Sequence, residues 1–328
     1  MQKIRFLIIR FSSIGDIVLT TPVVRCLKNQ LDGAEIHYLT KPQFREIVEG
    51  NPWVDKVHVL QKPFAKTIRE LKYLHFDYVI DLHKNLRSFR VKNQLKIISF
   101  SFDKLNKEKW LMVNFKKNRL PALHIVDRYL KTLSVFDVQN DGKGLDYHIP
   151  EKDRVDVRSL SEELVDGFVG VVVGAYHNTK KLTPEKIISI CQKIDRPVVL
   201  LGGPADRDDA EKIKKAVGQN LYNACGIFNI NQSASLVEQA NVILTPDTGL
   251  MHIASAFKKK IVSVWGNTIP EFGMYPYLPD PQSEIMEIKG LKCRPCTKIG
   301  FAQCPKKHFK CILDLDVDYI AQRIRALY

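Results

Sequence analysis

The stretch KIRFLIIRFSSIGDIVLTTPVV, residues 3–24, decides how this chain is read. The apolar run at 6–9 reads as a buried strand, and Arg10 ends it. Ser12, Ser13 and Gly15 then make a turn of small residues. Asp16 follows, and apolar residues resume at helical spacing. A strand, a small-residue turn and a helix form the opening half of a βαβ unit. Such a turn lets a ligand approach the backbone, and the helix start adds free N–H donors and the positive end of its dipole. The single carboxylate there, Asp16, has two readings: a simple N-cap, or an acid set where a substrate reaches the backbone. The turn matches neither the G-x-G-x-x-G fingerprint nor the P-loop pattern.

Working outward, the same alternation continues. Strands are expected at 35–40, 54–60, 77–82 and 94–100, and helices at 16–31, 42–50, 64–75 and 121–136. Residues 141–157 are polar and turn-rich and read as a linker. The pattern then restarts, with strands at 167–175, 197–203, 241–245 and 260–266. The intervening helices are expected at 183–194, 206–217, 231–240 and 248–257. Thr183 and Pro184 supply an N-cap and a first-turn proline. A chain of 328 residues exceeds one ordinary core, so two successive α/β domains are expected. In open α/β sheets ligands sit beyond the C-terminal ends of the strands, so the chemistry belongs to the loops that follow strands.

Composition narrows the class. Apolar residues make up 45% and charged residues 26%, an ordinary globular balance with no apolar run of membrane-spanning length. The run at 6–9 is too short for a signal-peptide core, so a cytoplasmic location is expected. Fifty Lys and Arg against 36 Asp and Glu give a formal charge of +14. That excess suits anionic partners, namely nucleic acid, lipid headgroups or phosphorylated glycans, as well as a merely solvated basic surface. Residues 103–119, DKLNKEKWLMVNFKKNR, mix bases with Trp110 and Phe115 without the long apolar stripe of an interfacial helix.

Four loops carry candidate chemistry. The first is the opening turn. The second is GAYHNTKKLTPEK, residues 174–186, where Lys180 and Lys181 precede a helix start and suit a phosphate. The third is LLGGPADRDD, residues 200–209, with a glycine turn and Asp206, which fits either a ribose hydroxyl or a cap. The fourth is TPDTGLMHIASAF, residues 245–257. Thr248 and His252 stand four apart there, on one helix face, behind Asp247 and Gly249. Together with free helix N–H groups they suit a diphosphate.

RFSSIGDIVLTTPVV near residue 10, PDTGLMHIASAF near residue 247 and VSVWGNTIPEFGMYPY near residue 262 together resemble glycosyltransferase family 9, the ADP-heptose:lipopolysaccharide heptosyltransferases. The likeness runs in order over most of the chain. It implies a GT-B architecture of two Rossmann-like βαβ domains facing across a cleft. Residues 1–150 would bind the acceptor and 151–312 the nucleotide sugar, with a last helix in 313–328 packing back on the first domain. It also implies inversion at the sugar, no metal ion, no further cofactor and an ADP-sugar donor. The acceptor would be an anionic lipid-linked glycan, reached by peripheral contact with the inner membrane.

Carried over by motif, Asp16 would be the general base and Ser12, Ser13 and Gly15 its turn. Lys181, or Lys180 beside it, would hold phosphate, and Asp206 the nucleoside. Asp247, Thr248, Gly249 and His252 would hold sugar and diphosphate. His83, Lys84 and Arg87, in DLHKNLRS after a strand, would meet acceptor phosphate or carboxylate.

Cys26, Cys191 and Cys225 read as buried thiols. Cys293, Cys296, Cys304 and Cys311 follow C-x2-C-x7-C-x6-C, which admits a structural zinc. The favoured reading is reduced thiols packing a C-terminal loop. The acids of DLDVD, residues 314–318, open a helix and read as caps rather than as metal ligands. Other readings remain: another GT-B enzyme, a nicotinamide-dependent Rossmann enzyme lacking the fingerprint glycines, or a polyanion-binding protein without a known nucleic-acid motif.

Overall fold

In the computed structural model, which describes residues 3–328, strand β1 (Ile4–Ile9) is the centre of a five-stranded parallel sheet. Its partners are β2 (Ala34–Thr40), β3 (Lys56–Val59), β4 (Tyr78–Asp81) and β5 (Ile98–Ser101), in the order β3-β2-β1-β4-β5. Phe6 to Ile9 are wholly buried, as expected of a strand covered on both faces. The connecting helices are α1 (Ile14–Val18), α2 (Thr21–Gln30), α3 (Arg45–Glu49), α4 (Phe64–Lys72) and α5 (Leu86–Leu95). After them come α6 (Asn106–Phe115) and α7 (Ile125–Leu130), the latter continuing as a 3-10 turn to Phe136.

A second parallel sheet has the order β11-β10-β9-β6-β7-β8. Its strands are β6 (Val169–Val172), β7 (Val198–Leu201), β8 (Leu221–Asn223), β9 (Val242–Pro246), β10 (Lys260–Trp265) and β11 (Glu284–Glu287). The helices around it are α8 (Pro184–Ile194), α9 (Arg207–Val217), α10 (Ile230–Gln239), α11 (Gly249–Ala256), α12 (Lys310–Leu313) and α13 (Val317–Leu327). Two parallel sheets with flanking helices are the α/β class read from the alternation.

The chain divides into residues 1–104 with 123–148, and residues 105–122 with 149–328. Several expectations are corrected here. The break falls within two residues of the expected one, but α6 belongs to the second unit. The segment 313–328 contributes to the core of its own unit. Ile320, Ala321, Ile324 and Leu327 of α13 share one buried cluster with Ile187, Ile190 and Ile194 of α8. At roughly 1.5–3 kcal/mol per buried aliphatic chain, that face is committed to the second core. The single helix expected at 16–31 is two, because Pro22 in the first turn of α2 has no N–H to continue the ladder of α1, and the Thr20 hydroxyl turns back to the Ile17 carbonyl at 2.6 Å. The supposed linker and the residues after it coil through 3-10 turns at Glu151–Asp153, Val157–Ser159 and Glu162–Leu164. Among the described residues no helix is long and apolar enough to cross a membrane.

Candidate active site

In each unit the strand order reverses beside its first strand, and the loops there carry the candidate residues. In the first unit Ile9 pairs in register with Asp81 of β4, so Arg10 and Leu82 leave the sheet side by side. Arg10 turns its guanidinium inward. It donates through Nη1 to the Leu82 carbonyl and to Tyr129 Oη at 3.1 Å, and through Nε to the Ser12 carbonyl at 2.9 Å. Nη2 lies 2.5 Å from Asp16 Oδ1. The other carboxylate oxygen, Oδ2, accepts from the Ser13 amide at 3.1 Å and from Ser13 Oγ at 2.8 Å. Ser13, not Asp16, is therefore the N-cap of α1, and Asp16 is its third residue. The Arg10 side chain is 9% exposed and that of Asp16 19%. Burial works against the Arg10 charge, but Asp16 and the neighbouring tyrosine hydroxyls outweigh it, so its pKa rises. The result is a solvent-reachable carboxylate whose position is fixed from two sides.

Asp81, fully buried, organises the next loop. Its Oδ1 accepts from the amides of His83 at 3.0 Å and Lys84 at 2.7 Å; Oδ2 accepts from Ser88 Oγ at 2.9 Å. Lys92 supplies the countercharge at 3.1 Å. His83 lies edge-on to Phe11, with ring centroids 4.9 Å apart, and its buried Nδ1 has no partner among the described residues. Burial first, then the charges of Arg10 and Lys104, lowers its pKa to about 4, so the ring is neutral. Lys84 and Arg87 are exposed, one on each side of the Asn85 cap of α5. Arg10, Asp81 and Tyr129 were not anticipated. An arginine ending an otherwise apolar strand was the one available signal.

In the second unit β6 lies between β7 and β9, so the loops after β6, β7 and β9 converge. Lys180 Nζ reaches Asp247 Oδ2 at 2.5 Å, and Thr268 Oγ1 donates to the same oxygen at 3.1 Å. Lys181 Nζ lies 2.6 Å from Asp206 Oδ1, whose Oδ2 accepts from the Gly203 amide at 3.0 Å. Asp206 is buried beneath Gly174, where an added Cβ would stand 2.1 Å from its Oδ2. The two neighbouring lysines thus face different acids, and Lys180 is the one at the Asp-Thr-Gly turn.

Thr248 is the N-cap of α11, yet its side chain makes no bond to the helix N–H groups; Oγ1 instead lies 3.3 Å from Thr245 Oγ1. The first-turn amides are left for an anion. His252 is buried within α11, while Thr248 and Gly249 are half-buried. Asn267, beside Thr268, is buried with neither its Oδ1 nor its Nδ2 partnered among the described residues. It lies inside a motif quoted for the resemblance, but nothing in its pattern marked it out.

All seven cysteines are free thiols. Burial pushes Cys191 and Cys225 up to about 12. In the tail, Cys293 Sγ lies 3.6 Å from His308 Nε2, and Cys296 donates to the Cys293 carbonyl at 3.1 Å. Burial, reinforced by the neighbouring thiols, raises Cys296 and Cys311 to about 11. Among the described residues no group of three or more His, Cys, Asp or Glu is arranged to hold a metal ion. Of the acids at 314–318, Asp316 caps α13 through the Tyr319 amide at 3.0 Å, while Asp318 in the first turn faces Lys193 at 2.6 Å.

The model of glycosyltransferase family 9 (heptosyltransferase) matches residues 64–306. Lipopolysaccharide heptosyltransferase 1 of Campylobacter coli is 22% identical over 290 residues, which are 80% of this chain and 83% of that protein. The structure of the E. coli ADP-heptose lipopolysaccharide heptosyltransferase II superposes with a TM-score of 0.77 at 18% identity, over 99% of this chain and 98% of that one. A glycosyl transferase family 9 structure from Veillonella parvula gives 0.80 at 21% identity, over 100% and 98% of the two chains.

Proposed function

Because the chain belongs to glycosyltransferase family 9, we propose that it moves a heptose or related sugar from an ADP-sugar to a lipopolysaccharide inner-core acceptor, with inversion and without a metal ion. The donor would bind the second unit and the acceptor the first. The observation that carries this reading is the start of α11. Its amides lack a side-chain cap, Lys180 and Asp247 stand beside them, and Asn267 is buried with an unsatisfied amide nearby. That set suits a diphosphate: a cation, backbone donors and a neutral amide.

The reaction is a single displacement. The acceptor hydroxyl attacks the anomeric carbon as its proton passes to Asp16, and the bond from that carbon to the ADP oxygen breaks. Attack opposite the leaving group inverts the centre. Charge developing on the departing diphosphate is met by Lys180 and the α11 amides, while Lys181 holds Asp206 under the Gly174 turn. Asp16 needs no folding change to act, since Arg10 and Ser13 already hold it. His83, neutral and with Nδ1 unpartnered, is suited to accept from an acceptor hydroxyl. Peripheral contact of the basic chain with the inner face of the membrane would bring it to a lipid-linked acceptor.

Calorimetric titration with ADP, an ADP-sugar and NAD tests the donor half. We expect ADP and the ADP-sugar to bind, NAD to bind far more weakly, and Lys180→Ala to weaken ADP by at least tenfold, the scale of a charge-assisted hydrogen bond. Equal affinity of the variant for ADP would remove the α11 site from this role.

A further inference from the structure

The first unit carries a groove of about 640 Å³ between α4 and α5, lined by none of the residues assigned to chemistry. Phe64 and Ile68 contribute its apolar surface; Arg69, Lys72, Tyr73 and Arg90 stand around it. The apolar face of α4 is divided between two environments. Ile68 and Leu71 pack into the core with Val91, while Tyr73, just past the helix, is 79% exposed. On α5, Leu86 and Phe89 are 81% and 60% exposed and stand three apart, on one face. Exposed apolar side chains grouped in this way mark an interaction surface rather than ordinary scatter.

The charge around the groove has one sign. Residues 62–96 hold nine Lys and Arg (62, 66, 69, 72, 84, 87, 90, 92, 96) against three acids, Glu70, Asp77 and Asp81, a balance of +6. Asp81 is buried and faces Lys92. Arg69, Lys72 and Arg90 are exposed and form no ion pair with any described residue. The surface is continuous with the candidate acceptor loop, since α5 starts at the Asn85 cap, directly after His83 and Lys84.

We propose that this groove docks on an anionic phospholipid bilayer. Arg69, Lys72 and Arg90 would meet lipid phosphates with their aliphatic stems laid along the groove. Tyr73, Leu86 and Phe89 would enter the interfacial layer, where amphipathic aromatic rings are favoured. The inference rests on the acceptor-side reading of the first unit, and it adds the face that turns that side toward lipid. A cation near an anionic leaflet contributes roughly fivefold in partitioning, so three together contribute on the order of a hundredfold.

Vesicle flotation of the full chain tests it, using phosphatidylcholine vesicles with and without phosphatidylglycerol, at low and high salt. Three variants are compared with wild type: Arg69→Glu/Lys72→Glu/Arg90→Glu in the groove, Tyr73→Ser/Phe89→Ser beside it, and Lys212→Glu/Lys214→Glu/Lys215→Glu on α9 as a charge-matched control. All these side chains are exposed, so thermal unfolding should match wild type. We expect wild type and control to float with phosphatidylglycerol vesicles, the groove charge variant to lose at least about a hundredfold in partitioning, and the Tyr73/Phe89 variant to lose the part that survives high salt. Equal loss in the control would reduce the effect to net charge and overturn the proposal. Undiminished flotation of the groove variants would overturn it as well, as would wild-type binding to single-stranded RNA through the same residues with no vesicle binding. Transfer to a deacylated, water-soluble acceptor is run beside it. Wild-type turnover there by the groove variants supports a docking role, whereas failure of transfer by wild type contradicts the functional reading and leaves the flotation result to be judged alone.

Discussion

Asp16→Asn separates chemistry from architecture. Asparagine retains the side-chain oxygen that meets the Ser13 amide, so the start of α1 should survive. It cannot take the acceptor proton. General-base catalysis is worth roughly 10²–10⁴ in rate, or about 3–5 kcal/mol of barrier. The substitution also strands the buried Arg10 charge. Removing one partner of a buried pair costs about 3–5 kcal/mol. Arg10 keeps the Leu82, Ser12 and Tyr129 oxygens as acceptors, and Asp16 is partly solvated, so about 1–3 kcal/mol is the better expectation. The double variant Arg10→Gln/Asp16→Asn removes the stranded charge. We expect it to regain part of the lost stability and none of the turnover. Steady-state ADP release gives turnover, urea unfolding gives stability, and calorimetry is expected to give an unchanged ADP affinity. Near-normal turnover by a folded Asp16→Asn protein, or recovery of turnover in the double variant, would refute a base at this position and return Asp16 to a structural role.

Gly174→Ala should lower the melting temperature by several degrees in a thermal scan, because its Cβ would displace the Asp206 carboxylate, and overpacking costs typically 1–3 kcal/mol. Burial, then the charge of His37, lowers His58 to about 4 against an unfolded value near 6.5, so the folded state holds the neutral ring. The unfolded chain then binds the extra proton, and this part of the stability is lost as pH falls from about 6.5 toward about 4. The melting temperature should drop over that window, and His58→Gln should make the drop smaller, with His83 contributing the same way over the same window. Turnover should be unaffected by EDTA, and elemental analysis of chelator-free protein should give far less than one zinc per chain; a stoichiometric zinc would overturn the reading of Cys293, Cys296, Cys304 and Cys311 as plain thiols.

The strands were legible because parallel strands covered on both faces are continuous apolar runs, as at 6–9 and 168–173. Short edge strands such as β8 and β11 were not, since three or four residues leave no period to read. The helix α5 was missed because its start is set by Asn85 and Ser88, a capping pair inside a basic stretch. The candidate loops were found by their place after strands, but their pairings were not. No local rule states that Lys180 faces Asp247 while Lys181 faces Asp206; that follows from β6 lying beside β9 on one side and β7 on the other. Arg10 was visible as an interruption, but its contact with Asp16 depends on the turn folding back over six residues. The placement of α6 and α13 in the second unit depends on which apolar faces remain uncovered, a property of the whole fold.

The central claim is sugar transfer from an ADP-sugar by inversion, and one reaction tests it directly. Purified protein is incubated with ADP-β-heptose and a truncated inner-core lipopolysaccharide acceptor in EDTA, with the product read by mass spectrometry and its anomeric configuration by NMR. The account predicts an acceptor heavier by one heptose, α-linked, with one ADP released per sugar. A β-linked product, or an unmodified acceptor with a folded protein that binds ADP, would contradict it.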